Sequence, residues 1–210
     1  MKNERRKVFV SFRYKDGAKI KEDLIENLEA LDIIIDKSED EDRSHLSEES
    51  IKEYLFEKLR DSSITIVILT PKALQYYRKD DGDIDDWLYD ELRYSLYDRT
   101  NNRINGVIAL YTQESKPMLF DIVKHSCNKC NEVQQVFLIK PFDNLVYDNV
   151  LNIKTKYKHN KCEGLFDADF DSYISLIALE DFYNNPLEYL KIATEKREKS
   201  DEYQIKVRKD

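Results

Sequence analysis

The chain has 210 residues, with 42 Asp plus Glu against 34 Lys plus Arg and a formal net charge of −8, a length that supplies a sizeable core without disulfide or metal staples. The acidic balance argues against nucleic acid or an anionic membrane as the main partner, since phosphate binding needs a basic face and the basic residues here are interleaved with acidic ones. The apolar run behind the basic start Met1 to Lys7 is too short for a signal peptide, no stretch reaches the roughly 20 apolar residues of a membrane span, and three cysteines do not make a secreted disulfide framework; a cytoplasmic location is expected.

Residues 7 to 12, Lys-Val-Phe-Val-Ser-Phe, are rich in β-branched and aromatic side chains and predict a strand. Asp16 is placed to cap a following helix whose apolar stripe is Ile20, Leu24, Leu28 and Leu31. Ile33-Ile34-Ile35 predicts a second, fully apolar strand ending at Asp36, and the acidic stretch from Ser38 to Asp42 predicts a loop. Ser47 then has the position of an N-cap, with Glu48 and Glu49 at the positive helix end, Leu46 and Ile51 spaced as a hydrophobic staple, and Leu55 and Leu59 continuing the stripe. The unbroken run Ile64 to Leu69 predicts a parallel strand covered on both faces, closed by Thr70-Pro71.

Residues 85 to 96 predict a helix with Leu88, Leu92, Ser95 and Leu96 on its buried stripe. Trp87, Glu91 and Tyr94 fall on the neighbouring stripe at i, i+4 and i+7. One acid beside an aromatic wall suits a flat, cationic heteroaromatic ligand. A fourth strand follows over residues 106 to 111. Four strands alternating with three helices imply an α/β fold with a flavodoxin-like, doubly wound parallel sheet. Ligands bind such sheets at the carboxyl ends of the strands, where Ser11, Phe12, Arg13, Asp36 and Pro71 fall.

Beyond Tyr111 the alternation breaks, so residues 1–111 are read as the core and 112–210 as a C-terminal extension packed on it. The extension contains the cysteines, a short apolar run at residues 136 to 139, and two predicted helices. One runs from about Asp171 to Phe182 over Ile174, Ile177 and Ala178. The other opens at Pro186, favoured in a first turn, and carries Leu187 and Leu190.

With four glycines the chain has neither a GxGxxG turn nor a P-loop, and the first strand lacks the acidic cluster of a phospho-receiver domain. The remaining residues resemble a TIR domain. Val8-Phe9-Val10-Ser11-Phe12-Arg13-Tyr14-Lys15-Asp16 is similar to that family's first strand and loop, residues 62 to 71 are similar to its third, and Trp87 to Glu91 matches the WxxxE motif. Within the family, the Phe-Val-Ser-Phe start and the cysteine-bearing tail are most similar to the bacterial TIR-like group that includes the Thoeris anti-phage proteins.

The resemblance implies an NAD glycohydrolase or cyclase that releases nicotinamide and makes an ADP-ribose-derived signal for a downstream effector, with NAD as substrate, no cofactor, and homo-oligomerisation through TIR surfaces. It assigns catalysis to Glu91, and position gives substrate contacts to Phe12, Arg13, Asp36 and Trp87: ring stacking by the aromatics, a diphosphate contact by the Arg13 fork. Glycoside hydrolysis ordinarily uses two carboxyl groups because an alcohol leaving group must be protonated. Nicotinamide leaves a positively charged pyridinium as a neutral molecule, so one carboxylate suffices to hold the ribose and stabilise the developing oxocarbenium charge.

Two other readings are a TIR-type scaffold acting by homotypic assembly and a sensor that binds a nucleotide without turnover. Separately, Cys127-x2-Cys130 and His159-x2-Cys162 have a spacing that could hold structural zinc, set against the ordinary reading of reduced cytosolic thiols.

Overall fold

The computed structural model describes residues 5–38, 47–98, 103–126, 133–158 and 165–208. The strand β1 (Arg6–Ser11) leads into α1 (Tyr14–Ala30), β2 (Ile34–Asp36), α2 (Glu48–Asp61), β3 (Ile64–Leu69), α3 (Trp87–Leu96) and β4 (Gly106–Tyr111). A short helix α4 (Lys116–Leu119) precedes an antiparallel hairpin of β5 (Phe120–Ser126) and β6 (Val133–Ile139), and α5 (Leu145–Asp148) follows. The chain then adds β7 (Ile174–Ala178), α6 (Leu179–Asn184) and α7 (Pro186–Glu198). β2, β1, β3, β4 and β7 pair in that order, all parallel, into one five-stranded sheet.

Side-chain alternation along the strands decides what each face of the sheet holds. Ile64, Ile66 and Ile68 of β3 share a core with Val8 and Val10 of β1, Leu24 and Leu28 of α1, and Leu190 and Ala193 of α7. Val67 and Leu69 point the other way and pack with Leu88, Leu92 and Leu96 of α3. On that same side Phe9 packs with Leu55 and Leu59 of α2 and with Tyr94. The sheet is therefore covered on both faces, and every residue of β3 is buried, the reason its sequence is a continuous apolar run. Edge position explains why β2 is not buried throughout: Ile35 is exposed.

Three expectations about local structure need correcting. The segment expected as a helix from about Asp171 to Phe182 is instead β7 followed by the short α6, so residues assigned to the extension supply the fifth strand of the sheet. Ile174, Ile177 and Ala178 satisfy helical spacing, but Ile174 and Ile177 pack on opposite faces of the sheet, as side chains an odd number of residues apart on a strand must. The first helix starts at Tyr14 with Arg13 as N-cap. Asp16 lies in the first turn and its Oδ2 accepts from Lys72 N at 3.2 Å. Leu31 is exposed because the helix has ended at Ala30. Ser47 does cap α2, its hydroxyl accepting from Ser50 N; Leu46 lies outside the described residues. Among the described residues no helix is long and apolar enough to cross a membrane.

α7 closes over the start of β4 so tightly that a Cβ on Gly106 would lie 2.3 Å from the Ala193 carbonyl oxygen. Gly106→Ala is accordingly expected to destabilise the fold by about 1–3 kcal/mol or more, read as a lower denaturant midpoint with an unchanged slope.

The same helix buries Lys196, which is 3% exposed and donates to Ser175 Oγ at 2.7 Å. Burial pushes its ammonium down from the ordinary 10.5 to about 7, against the opposing pull of Asp169, Asp167 and Asp171. Between these two values the unfolded chain binds more protons than the folded one, so this residue's contribution to stability rises with pH across that window and is least at its lower end. Denaturation of the wild type and Lys196→Met at about pH 7 and about pH 9 should show the wild type gaining stability relative to the variant as pH rises.

Candidate functional site

The amino-terminal end of α3 is fixed by Asp86. Its Oδ1 accepts from Leu88 N and Tyr89 N, capping the helix. Its Oδ2 accepts from Tyr77 N at 2.6 Å and pairs with the Arg13 guanidinium, both side chains being at most a tenth exposed. Arg13 also donates to the carbonyls of Lys72 and Gln75 at 3.5 and 3.3 Å and lies 4.3 Å over the Tyr77 ring. The chain leaving β1 and the chain entering α3 are thereby locked together, 73 residues apart in sequence.

One turn into α3, Glu91 is 9% exposed, and its Oε2 accepts from the Ser11 hydroxyl at 2.5 Å. That length is typical of a hydroxyl donating to an ionised carboxylate. The same turn is tied to the sheet from behind. Ser95 Oγ donates to the Glu91 carbonyl and meets Thr65 Oγ1 at 2.8 Å, and Asn105 Nδ2 donates to Thr65 Oγ1. The Ser95 and Thr65 hydroxyls and the Asn105 Nδ2 are thus satisfied, while Asn105 Oδ1 is buried without a hydrogen-bond partner.

These elements enclose a cavity of about 370 Å³ at the carboxyl end of β1. Phe12, Arg13, Tyr14 and Lys15 border it after β1, Ile51 and Leu55 of α2 close one wall, and Trp87, Leu88 and Glu91 of α3 form another, with Tyr77 at the loop. Trp87 is 37% exposed and lines the same cavity as Glu91. The arrangement can hold a flat ring against aromatic and aliphatic side chains while setting one acid alongside it.

Of the five residues expected at the site, Phe12, Arg13, Trp87 and Glu91 line this cavity. Arg13 lines the cavity and is at the same time tied to the protein. The fork assigned to a diphosphate is directed at Asp86 and two backbone carbonyls, because an unpaired Asp86 carboxylate would be intolerable at that depth. Asp36 is not among the lining residues. It folds back on its own turn, with Oδ1 accepting from Ser38 N at 2.9 Å and Ser38 Oγ at 2.6 Å, and with Lys21 Nζ 4.0 Å from Oδ2. Tyr94, expected beside Glu91, is buried and stacked on Phe56 with ring centroids 4.2 Å apart.

Most of the acidic stretch after β2, and Cys127, Cys130, His159 and Cys162, whose spacing could hold zinc, lie outside the described residues. Among the described residues no group of three or more His, Cys, Asp or Glu side chains is arranged to hold a metal ion. Sequence reading missed Tyr77, Ile51 and Leu55 as lining residues, and placed Ser11 at the strand end without its contact to Glu91. For Ser11 a signal existed: strand alternation puts it on the face of Phe9, opposite Val10. Compared with protein-family models, the chain matches none.

Arg13→Met would leave Asp86 buried without its cation and is expected to cost about 3–5 kcal/mol, measured by equilibrium denaturation. A loss below about 1 kcal/mol would show that the pair does not hold β1 to α3.

Proposed function

We propose that the chain is a TIR-type enzyme that cleaves NAD at the nicotinamide–ribose bond and produces an ADP-ribose-derived signal in bacterial anti-phage defence. The observation that carries this reading is the Glu91 carboxylate on the wall of a cavity shared with Trp87 and Phe12. Also in support, the parallel sheet has the flavodoxin-like strand order and the cavity lies at the carboxyl end of its first strand.

The volume falls within the range of small-ligand sites and suits the nicotinamide–ribose half of the substrate. The adenosine half would extend over the rim, where Tyr14 and Tyr77 are exposed. The pyridinium ring packs against Trp87 and Phe12 while the ribose faces Glu91. As the C1′–N bond lengthens, positive charge moves from the ring to the sugar, and the fixed carboxylate favours that shift. The electron pair leaves with nicotinamide, which is neutral and needs no proton. Water, a hydroxyl or ring nitrogen of the same molecule, or an added nucleophile then takes the C1′ position. Arg13 and Asp36 have no part in this account as ligands of the substrate.

One observation favours a second reading, a TIR-type scaffold working by assembly. One face of the β5–β6 hairpin exposes Ile122, Val133 and Phe137, each more than half accessible, apolar exposure of the kind that marks interaction sites.

Incubation with NAD at high protein concentration, favouring assembly, separates the two. The enzyme releases nicotinamide, and Glu91→Gln lowers that release by about 100-fold or more while the unfolding midpoint stays near that of the wild type. Absence of release under these conditions, or equal release by the variant, overturns the catalytic assignment. The product mass then distinguishes hydrolysis (ADP-ribose), cyclisation (one water less) and conjugation (an added group).

A further inference from the structure

We propose that Ser11 is a positioning residue for Glu91, its hydroxyl holding the carboxylate ionised and correctly turned at the cavity wall. The role of Glu91 rests on the reading above, but the Ser11 contact is independent of it. Ser11 is the last residue of β1 and is 1% exposed. Its hydroxyl donates to Glu91 Oε2 at 2.5 Å, across 80 residues of sequence. A hydroxyl at that distance delivers a directed, charge-assisted bond to one carboxylate oxygen, and it comes from the end of a strand rather than from a loop.

The geometry explains why the donor is a serine. Phe9 and Ser11 share the face of β1 that meets α2 and α3, and Phe9 fills that layer with Leu55, Leu59 and Tyr94. Two residues on, the small Ser11 side chain brings a hydroxyl within reach of the Glu91 carboxylate. The Ser95 and Thr65 hydroxyls fix the backbone turn that carries Glu91; Ser11 acts on the carboxylate itself.

Among the described residues, charged and titratable groups border the cavity from three sides. After β1, Arg13 and Lys15 border the cavity with the Tyr14 phenol, and Tyr77 borders it from the loop. On α3, Asp86 is paired with Arg13, while Asp90 is paired with Lys52 of α2. The other α2 side chains at the cavity, Ile51 and Leu55, are apolar. Losing the Ser11 donor removes a hydrogen bond that favours the charged carboxylate, and the expected direction is easier protonation of Glu91.

The test compares wild type, Ser11→Ala, Ser11→Cys and Ser11→Thr. Cysteine keeps nearly the volume with a weak donor and guards against misfolding of the alanine variant; threonine keeps the hydroxyl. The Glu91 carboxyl resonance, labelled with carbon-13 and assigned by its loss in Glu91→Gln, is followed against pH. This readout needs no turnover, so it remains decisive even if the wild type does not cleave NAD. A Glu91 midpoint at least about half a pH unit higher in the alanine and cysteine variants, with threonine returning it towards the wild type, supports the proposal.

In a turnover assay the same two variants should lose about 10- to 100-fold in kcat with KM within about threefold, since a bond to a charged group is of that strength. An unchanged Glu91 midpoint in the alanine and cysteine variants overturns the proposal. So does a kcat loss that threonine shares at a wild-type unfolding temperature, because the hydroxyl is then not what matters.

Discussion

The buried pair between Arg13 and Asp86 is the constraint on which the candidate site depends. Asp86 uses one oxygen to cap α3 and the other to receive Arg13 and the Tyr77 amide. Capping alone would set where the helix begins, and the ion pair alone would hold two segments near each other. Joined in one carboxylate, they set the position of the first turn of α3 relative to the end of β1. Trp87 and Glu91 are reached from that turn, and Phe12 and Ser11 from that strand end. The cavity is the space left between the two.

A second consequence concerns polarity. The side of the sheet that holds α3 buries a chain of small polar groups, Ser11, Ser95, Thr65 and Asn105, where the other side is mainly apolar apart from the Lys196–Ser175 contact. Each hydroxyl there has a partner, and together they give the acid-bearing turn contacts with β1 and β3. Apolar packing is tolerant of small rotations, whereas directed hydrogen bonds are not. The side of the sheet that carries the cavity is thus tied by directional bonds, and α1 and α7 on the opposite face pack mainly through apolar side chains.

Legibility in the sequence followed the range of the forces involved. The capping of α2 by Ser47 and the unbroken apolar β3 rest on neighbours within a few residues or on burial of a whole strand, and both were readable. The segment around Ile174 was not, because Ile174, Ile177 and Ala178 fit one side of a helix as well as they fit a strand. Its strand state is decided by the free edge of β4, which pairs Val107 with Ile174 and Tyr111 with Ala178. Asp36 misled for a related reason: its place at a strand end was correct, but its carboxylate was satisfied locally by Ser38.

By itself the sequence determined the alternation of strands and helices up to Tyr111, the register of α3 that sets Glu91 one turn after Trp87, and hence that acid and indole share a stripe. Those follow from helical and strand periodicity, which is a property of a short stretch of backbone. Only the tertiary structure decided that Arg13 pairs with Asp86, that Ser11 reaches Glu91, that Ile51 and Leu55 close the cavity, and that β7 completes the sheet. Each of these is a choice among distant partners. It is made by the need to neutralise a buried charge, satisfy a buried hydroxyl or pair an open strand edge, and local residue preference carries no information about which partner will be there.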